Sequence, residues 1–271
     1  MAVTELKNLA YGPLPRQSLD LYLPASAESA PNTIVRPWLV YIHGGAWRGG
    51  NKSQFEFLGR FFASRNIPTA CVTYRLSVKN DPESPRHPVH VEDCAKAIAW
   101  LSQPNAAFAA FAPPTKLYLC GHSAGGQITG LLHLDPHFLE SLGGKALWSS
   151  VKGIIGVEGI YDIPALIARW PSYIDFIDMA FTSDVEVWKK GSPQFYTLPS
   201  EGYPLTKYLV IHSTDDELVD LDQSIDYHRH LQRMDPDAQL DTSLTGTHDD
   251  MLKTDLFLER VHRFIIESEA Q

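Results

Sequence analysis

Apolar residues along the chain gather in short runs closed by glycine, proline or charge, and the segments between them repeat every three to four positions. Residues 38–45 (WLVYIHGG) stay apolar until two glycines stop them, the pattern of a buried strand. Residues 69–74 (TACVTY), 116–121 (KLYLCG), 151–162 (VKGIIGVEGIYD) and 207–213 (KYLVIHS) follow the same rule. Residues 18–24 (SLDLYLP) alternate and end in proline, which predicts an early strand, and 239–246 (QLDTSLTG) is strand-like. Helical spacing marks 55–65, 93–101, the segment after Ser123, a segment after 213, and an amphipathic closing stretch over 255–268. The polar, alanine-rich stretch 25–36 predicts a surface loop.

Strand-like and helical segments alternate over nearly the whole length. This implies an α/β fold, a mostly parallel central sheet with helices on both faces. There is no repeat, low-complexity tract or linker, so residues 1–271 are expected to form one domain. Prolines, tryptophans and tyrosines crowd 163–204, the expected place of a small lid.

Composition narrows the function. With 44% hydrophobic and 20% charged residues the chain is a folding one rather than a disordered one. A net charge of −9 argues against nucleic acid as the main partner, because phosphate binding needs a basic patch. No window has the length of a membrane-spanning helix, and the opening MAVTELKNLAYGP has neither a basic start nor an apolar core of a secretory signal. Cys71, Cys94 and Cys120 are an odd count at no metal-ligand spacing, which reads as buried free thiols in a reducing compartment. The expectation is a cytoplasmic protein with no membrane partner.

The candidate chemistry centres on GHSAGG, residues 121–126. Ser123 lies between a buried strand and a helix, crowded by Gly121, Ala124, Gly125 and Gly126. That is the setting of a nucleophile elbow, where small residues make room for a sharp, strained turn. The turn would expose Ser123 Oγ at the carboxyl end of the sheet and place the Ala124 amide at a helix N-terminus, facing developing negative charge. A phosphate loop would continue with lysine, but Gln127 and Ile128 follow.

A nucleophilic serine needs a base and an acid, in the order serine, acid, histidine. Asp215 and Asp216 follow the apolar run 207–211, and His248 follows the last strand-like segment. Either aspartate could be the acid that holds the imidazole; His248 would take the serine proton and pass it to the leaving group. His212 precedes the acid, which chain order disfavours. HGGAW, residues 43–47, supplies the third element: glycines directly after a strand let backbone amides face a substrate oxygen, and His43 would brace that loop. Trp47 is either a pocket wall or ordinary core. Histidines 133 and 137 in HLDPH form a poor ligand pair, because no glutamate accompanies them and Pro136 interrupts the helix; no metal or cofactor is expected.

With these residues in place the sequence resembles the α/β-hydrolase superfamily, and more narrowly kynurenine formamidase (arylformamidase) of the fungal type. The wider likeness rests on HGG, GHSAGG and the late aspartate and histidine. The narrower one rests on HGGAW, because kynurenine formamidases carry HGGxW where many lipase-like esterases carry HGGG. YRLS (74–77), GIYD before WPSY, HSTDDEL and THDD support it. The resemblance implies Ser123, Asp216 and His248 as the triad, and an oxyanion hole from the amides of Gly45, Ala46 and Ala124. Separately, the bulky pair Ala46–Trp47, where broader esterases often continue with glycine, is expected to narrow the acyl pocket beside the oxyanion hole. The implied reaction is hydrolysis of N-formyl-L-kynurenine to L-kynurenine and formate in tryptophan degradation. A carboxylesterase of short acyl esters is the alternative on the same residues, and a non-enzymatic scaffold the alternative from another class. A scaffold would typically have lost a triad member.

Overall fold

A computed structural model describes residues 2–25, 36–198, 205–235 and 237–270; the body of the expected loop over 25–36 and the tail of the expected lid, 199–204, lie outside the described residues. Among the described residues eight strands form one sheet. They are β1 (Val3–Ala10), β2 (Ser18–Pro24), β3 (Trp38–Ile42), β4 (Thr69–Val72), β5 (Leu117–His122), β6 (Val151–Val157), β7 (Lys207–Ile211) and β8 (Gln239–Asp241). Their spatial order is β1-β2-β4-β3-β5-β6-β7-β8. β2 pairs antiparallel with β1 and with β4, and the other neighbours are parallel.

The helices are α1 (Glu56–Ala63), α2 (Val89–Leu101), α3 (Ala124–Leu134), α4 (His137–Ser149), α5 (Ile163–Arg169), α6 (Ile174–Phe181), α7 (Val185–Lys190), α8 (Leu221–Leu231) and α9 (Asp255–Glu269). Alternate residues of each central strand point to opposite faces, so the sheet divides the apolar residues into two cores. Leu39, Tyr41, Tyr118 and Cys120 join Leu58 and Phe62 of α1 and Val261 and Phe264 of α9. Val40, Ile42, Leu117 and Leu119 join α2, α3, α4 and α8 through residues such as Ile98, Ile128, Leu139 and Leu231. Both faces are therefore dry, which explains why the central strands read as unbroken apolar runs. Each fully buried leucine or isoleucine contributes roughly 1.5–3 kcal/mol. Cys71, Cys94 and Cys120 are buried and free.

The structure departs from the sequence reading at the margins. β1 was not expected, because Glu5, Lys7 and Asn8 interrupt its apolar pattern. It is an edge strand, and its charges are paired across the sheet face toward β2 and α1: Lys7 Nζ lies 2.9 Å from Glu56 Oε1 and 3.5 Å from Asp20 Oδ2, and Glu5 Oε1 lies 2.6 Å from Arg60 Nε. A bulge between Leu6 and Leu9, with Asn8 at φ 57°, shifts its register against β2. The final strand covers only Gln239–Asp241. The helical stretch after Ser123 is two helices, separated at Asp135 and Pro136. Residues 163–190 hold α5, α6 and α7, and Phe181 at the end of α6 meets Trp47 edge-on at 4.7 Å. No helix among the described residues is long and apolar enough to cross a membrane.

Candidate active site

Ser123 stands alone between β5 and α3, with φ 54° and ψ −119°. Few non-glycine residues adopt such a backbone unless the surroundings impose it. Here the Ser123 amide donates to Val157 O at 2.9 Å, and the Gly126 amide donates to Ser123 O at 2.9 Å. The neighbouring glycines are there for close approach. A Cβ on Gly121 would run into the Gly125 carbonyl, and one on Gly125 into the Ile42 carbonyl. Helix α3 thus lies directly on β3 and β5, with its first turn beside the serine. The Ala124 amide, at the helix start, donates to no protein acceptor among the described residues.

The loop after β7 carries the two candidate acids, Asp215 and Asp216. Asp216 Oδ1 accepts from the amides of Leu218 (2.8 Å) and Val219 (3.0 Å), and Oδ2 lies 2.8 Å from His248 Nδ1. The His212 ring reaches the same oxygen at 3.3 Å. The Asp216 side chain is 1% exposed. Burial pushes its pKa up, but hydrogen bonds from His212 and His248, the His248 charge and the Val219 amide outweigh it and hold the carboxyl well below the usual range. Asp215 is exposed, and its carboxylate meets only the Gly246 amide, at 3.4 Å. The structure therefore brings Asp216, not Asp215, to His248. His212 is buried behind the acid, with Nδ1 2.7 Å from Ser224 Oγ and Nε2 3.1 Å from Val219 O.

The HGGAW segment leaves β3 as a compact turn: Gly45, Ala46 and Trp47 all have positive φ, and Gly45 O accepts from the amides of Arg48 and Gly49. The Gly45 and Ala46 amides donate to no protein acceptor among the described residues. A Cβ on Gly44 would lie 2.8 Å from Ser123 Cβ, so the turn packs on the serine. His43 Nδ1 donates to Gly44 O at 2.7 Å while its ring stacks on Tyr74. Burial pushes the His43 pKa down to about 4, so the ring stays neutral and acts as a brace.

Trp47 departs from the expected pocket wall. It has no exposed surface, its Nε1 donates to Gln127 Oε1 at 2.9 Å, and it does not line the cavity. The positive φ at Ala46 and Trp47 turns the indole into the core against Phe181. Its place is filled by α6 and the turn before it: Phe176 and Tyr173 border a cavity of about 420 Å³ that also opens on Gly45, Ala46, Ser123 and His248. The rest of the wall is mostly apolar, with Arg48 and Asp249 as its charged residues.

Two contributors escaped the sequence reading. His122, beside the serine, donates from Nε2 to His248 O at 3.0 Å and so fixes the backbone of that loop. Glu158 closes β6 and is fully buried; the only signal was a glutamate ending an apolar run. Its Oε1 accepts from the Ser213 amide at 3.2 Å, and Oε2 lies 3.4 Å from His122 Nε2 and 3.7 Å from His248 Nδ1. Burial first, then the charge of Asp216, pushes its carboxyl up to about 9, so it is neutral at physiological pH. His122, Glu158 and His248 are close enough to suggest a metal, but the two ring nitrogens nearest Glu158, Nδ1 of His248 and Nε2 of His122, point their protons at Asp216 and at a carbonyl, so neither offers Glu158's side a lone pair. His133 is buried in α3 against Trp148 and His137 is exposed on α4, so the HLDPH pair is not assembled.

A family model described as BD-FAE matches residues 19–231. The chain is 34% identical over 213 residues to the kynurenine formamidase of Eremothecium gossypii, covering 73% of this chain and 78% of that protein. It is 28% identical over 261 residues to an isoprenylcysteine alpha-carbonyl methylesterase of Arabidopsis thaliana, covering 93% of this chain and 57% of that one. The chain thus spans little more than half the length of that methylesterase. A truncated carbohydrate esterase from gut microbiota has the same fold, with a TM-score of 0.76 at 18% identity over 99% of this chain and 97% of that one. The chain belongs to the BD-FAE family and is an α/β-hydrolase of the kynurenine formamidase type.

Proposed function

We propose that this BD-FAE family member hydrolyses N-formyl-L-kynurenine to L-kynurenine and formate. Ser123 Oγ attacks the formyl carbon as His248 Nε2 takes its proton, and the amides of Gly45, Ala46 and Ala124 receive the oxyanion. Asp216 keeps the His248 proton on Nδ1 and faces the imidazolium that forms. His248 then protonates the departing aryl nitrogen, and water, deprotonated by the same ring, releases formate from the formyl-serine. An aryl amine leaves more readily than an alkyl amine, and no step calls for a metal. Helices α5–α7 serve as the lid of one catalytic domain, and the three buried thiols suit a cytoplasmic setting.

The observation that carries the reading is His248, bonded from behind by buried Asp216, opening on the same cavity as a serine held at φ 54°. The formamide substrate draws its support from HGGAW and the 34% identity to a kynurenine formamidase. Ester hydrolysis is the second reading, favoured by likeness to a methylesterase along 93% of the chain. Side-by-side specificity constants for N-formyl-L-kynurenine, p-nitrophenyl acetate and an isoprenylcysteine methyl ester decide between them, with Ser123→Ala as control. The formamide is expected to lead by well over tenfold, and Ser123→Ala to fall below about a hundredth of the wild-type rate. A leading ester would replace the substrate. An active Ser123→Ala would remove the triad.

A further inference from the structure

One buried carboxyl beside the proposed triad has no part in that mechanism. Glu158 follows β6 with a left-handed backbone, φ 48°, and its amide is tied to Ile211 O at 2.8 Å, so its position is set by the sheet. Its Oε2 is buried and makes no hydrogen bond. A native interior seldom leaves a carboxyl oxygen unpaired without a reason, since desolvating it is unfavourable. The same oxygen lies 3.7 Å from Nδ1 of His248, the nitrogen that Asp216 Oδ2 already holds at 2.8 Å.

We propose that Glu158 is a second acid for His248, a positioning residue that stands behind Asp216 and receives the Nδ1 proton when the aspartate is missing. The proposal rests on the triad reading above. The titratable groups around Glu158 are Tyr41 of β3, His122 at the end of β5, Tyr161 after β6, Asp216 and Glu217 after β7, and His248 and Asp249 after β8. Of these, Asp216 is the strongest electrostatic reason that Glu158 stays protonated. Removing the aspartate carboxylate therefore favours release of the Glu158 proton to solvent. It also clears the space between Oε2 and Nδ1, and a movement of under an ångström closes the bond. In the intact protein the neutral carboxyl packs against both imidazoles and limits where the His248 ring can turn.

The two obvious replacements of Asp216 then diverge. Asp216→Asn keeps an acceptor for the Leu218 and Val219 amides and so aims its NH2 at Nδ1, which forces the wrong tautomer and blocks Glu158. Asp216→Ala leaves Nδ1–H free for Glu158. Turnover of Asp216→Ala is expected to exceed that of Asp216→Asn by on the order of tenfold. Its rate should climb with pH as Glu158 ionises. Glu158→Gln is expected to lower the wild-type rate by a few fold, but to lower Asp216→Ala by on the order of tenfold or more and abolish the climb, a non-additive cycle. The low-field proton resonance of His248 Nδ1 should persist in Asp216→Ala and vanish in the double variant, a readout that needs no turnover. An equal effect of Glu158→Gln in both backgrounds, or a resonance indifferent to Glu158, overturns the proposal and leaves the triad standing. Full activity of Asp216→Ala overturns the triad reading, and the second acid with it.

Discussion

Asp215 and Asp216 are adjacent in sequence, yet one side chain is exposed and the other buried against two imidazoles. The consequence is sharp at the level of single atoms. Asp216→Asn should reduce turnover by several orders of magnitude, whereas Asp215→Asn should change it by a few fold at most; steady-state kinetics on both variants checks the ranking, and the reverse order would move the acid. Trp47 gives a second test. Trp47→Phe leaves Gln127 Oε1 without its donor in a dry interior, a loss of about 1–3 kcal/mol. Its melting temperature should therefore fall while the ratio of specificity constants for acetyl and butyryl p-nitrophenyl esters stays constant. A changed ratio would return the indole to the acyl wall. Ser123 and His248 stood out in the sequence because short motifs carry them, and the aspartate was narrowed there to the neighbours Asp215 and Asp216, of which the fold turns only Asp216 toward His248. Glu158 and His122 did not stand out, because their meaning depends on which strand ends lie side by side, a fact of sheet order rather than of any local run.

At the scale of elements, the strand–turn–helix around Ser123 holds that residue at φ 54° and ψ −119°, a strained backbone for a non-glycine residue. A residue held in such a region is destabilised by roughly 1–3 kcal/mol, and glycine escapes most of that at an entropic loss of about 0.5–1 kcal/mol. Ser123→Gly should therefore melt above Ser123→Ala by about 2–4 °C, the shift that 1 kcal/mol makes in a domain of this size. Scanning calorimetry of the two variants, neither of which carries a side-chain hydroxyl at 123, isolates the backbone from the chemistry, and equal melting temperatures would mean the turn is unstrained. The central strands and most of the helices could be read from the chain because burial on both faces leaves nearly uninterrupted apolar runs. β1 could not, because an edge strand carries Glu5 and Lys7 where a central strand would carry apolar residues. The short β8 followed the same logic: a strand-like pattern continued past Asp241, but the ladder with β7 ends there.

Across the whole molecule, four histidines among the described residues are buried with their pKa values pushed down, His43, His90, His122 and His133, and half-buried His87 shares the shift. Burial is the leading cause of the depression in each, pushing His43 and His87 down to about 4 and His90 and His133 to about 3, with His122 well below its ordinary value. The unfolded chain takes up protons on these rings as pH falls through about 6.5, while the folded chain refuses them until near pH 4 or below. Stability is therefore whole above 6.5 and lost as pH falls toward the folded values, with each ring contributing a slope of up to about 1.4 kcal/mol per pH unit. Glu158 acts in the opposite sense: its carboxyl, raised to about 9, favours the folded state most at low pH and loses that contribution as pH rises from about 4.5 toward 9. One carboxyl cannot offset five rings, so acid destabilisation between pH 6.5 and 4 should dominate. His133 separates this account from the general loss of carboxylate pairing. It stacks on Trp148 at 4.7 Å, outside the cavity, and neither of its ring nitrogens has a hydrogen-bond partner. Phenylalanine can take its place without orphaning a donor. His133→Phe should keep turnover and reduce the slope of unfolding free energy near pH 5 by about 1.4 kcal/mol per pH unit. Denaturant titrations at half-unit steps from pH 7 to 4 measure that slope, and a variant with the wild-type slope would show that His133 is already protonated in the fold.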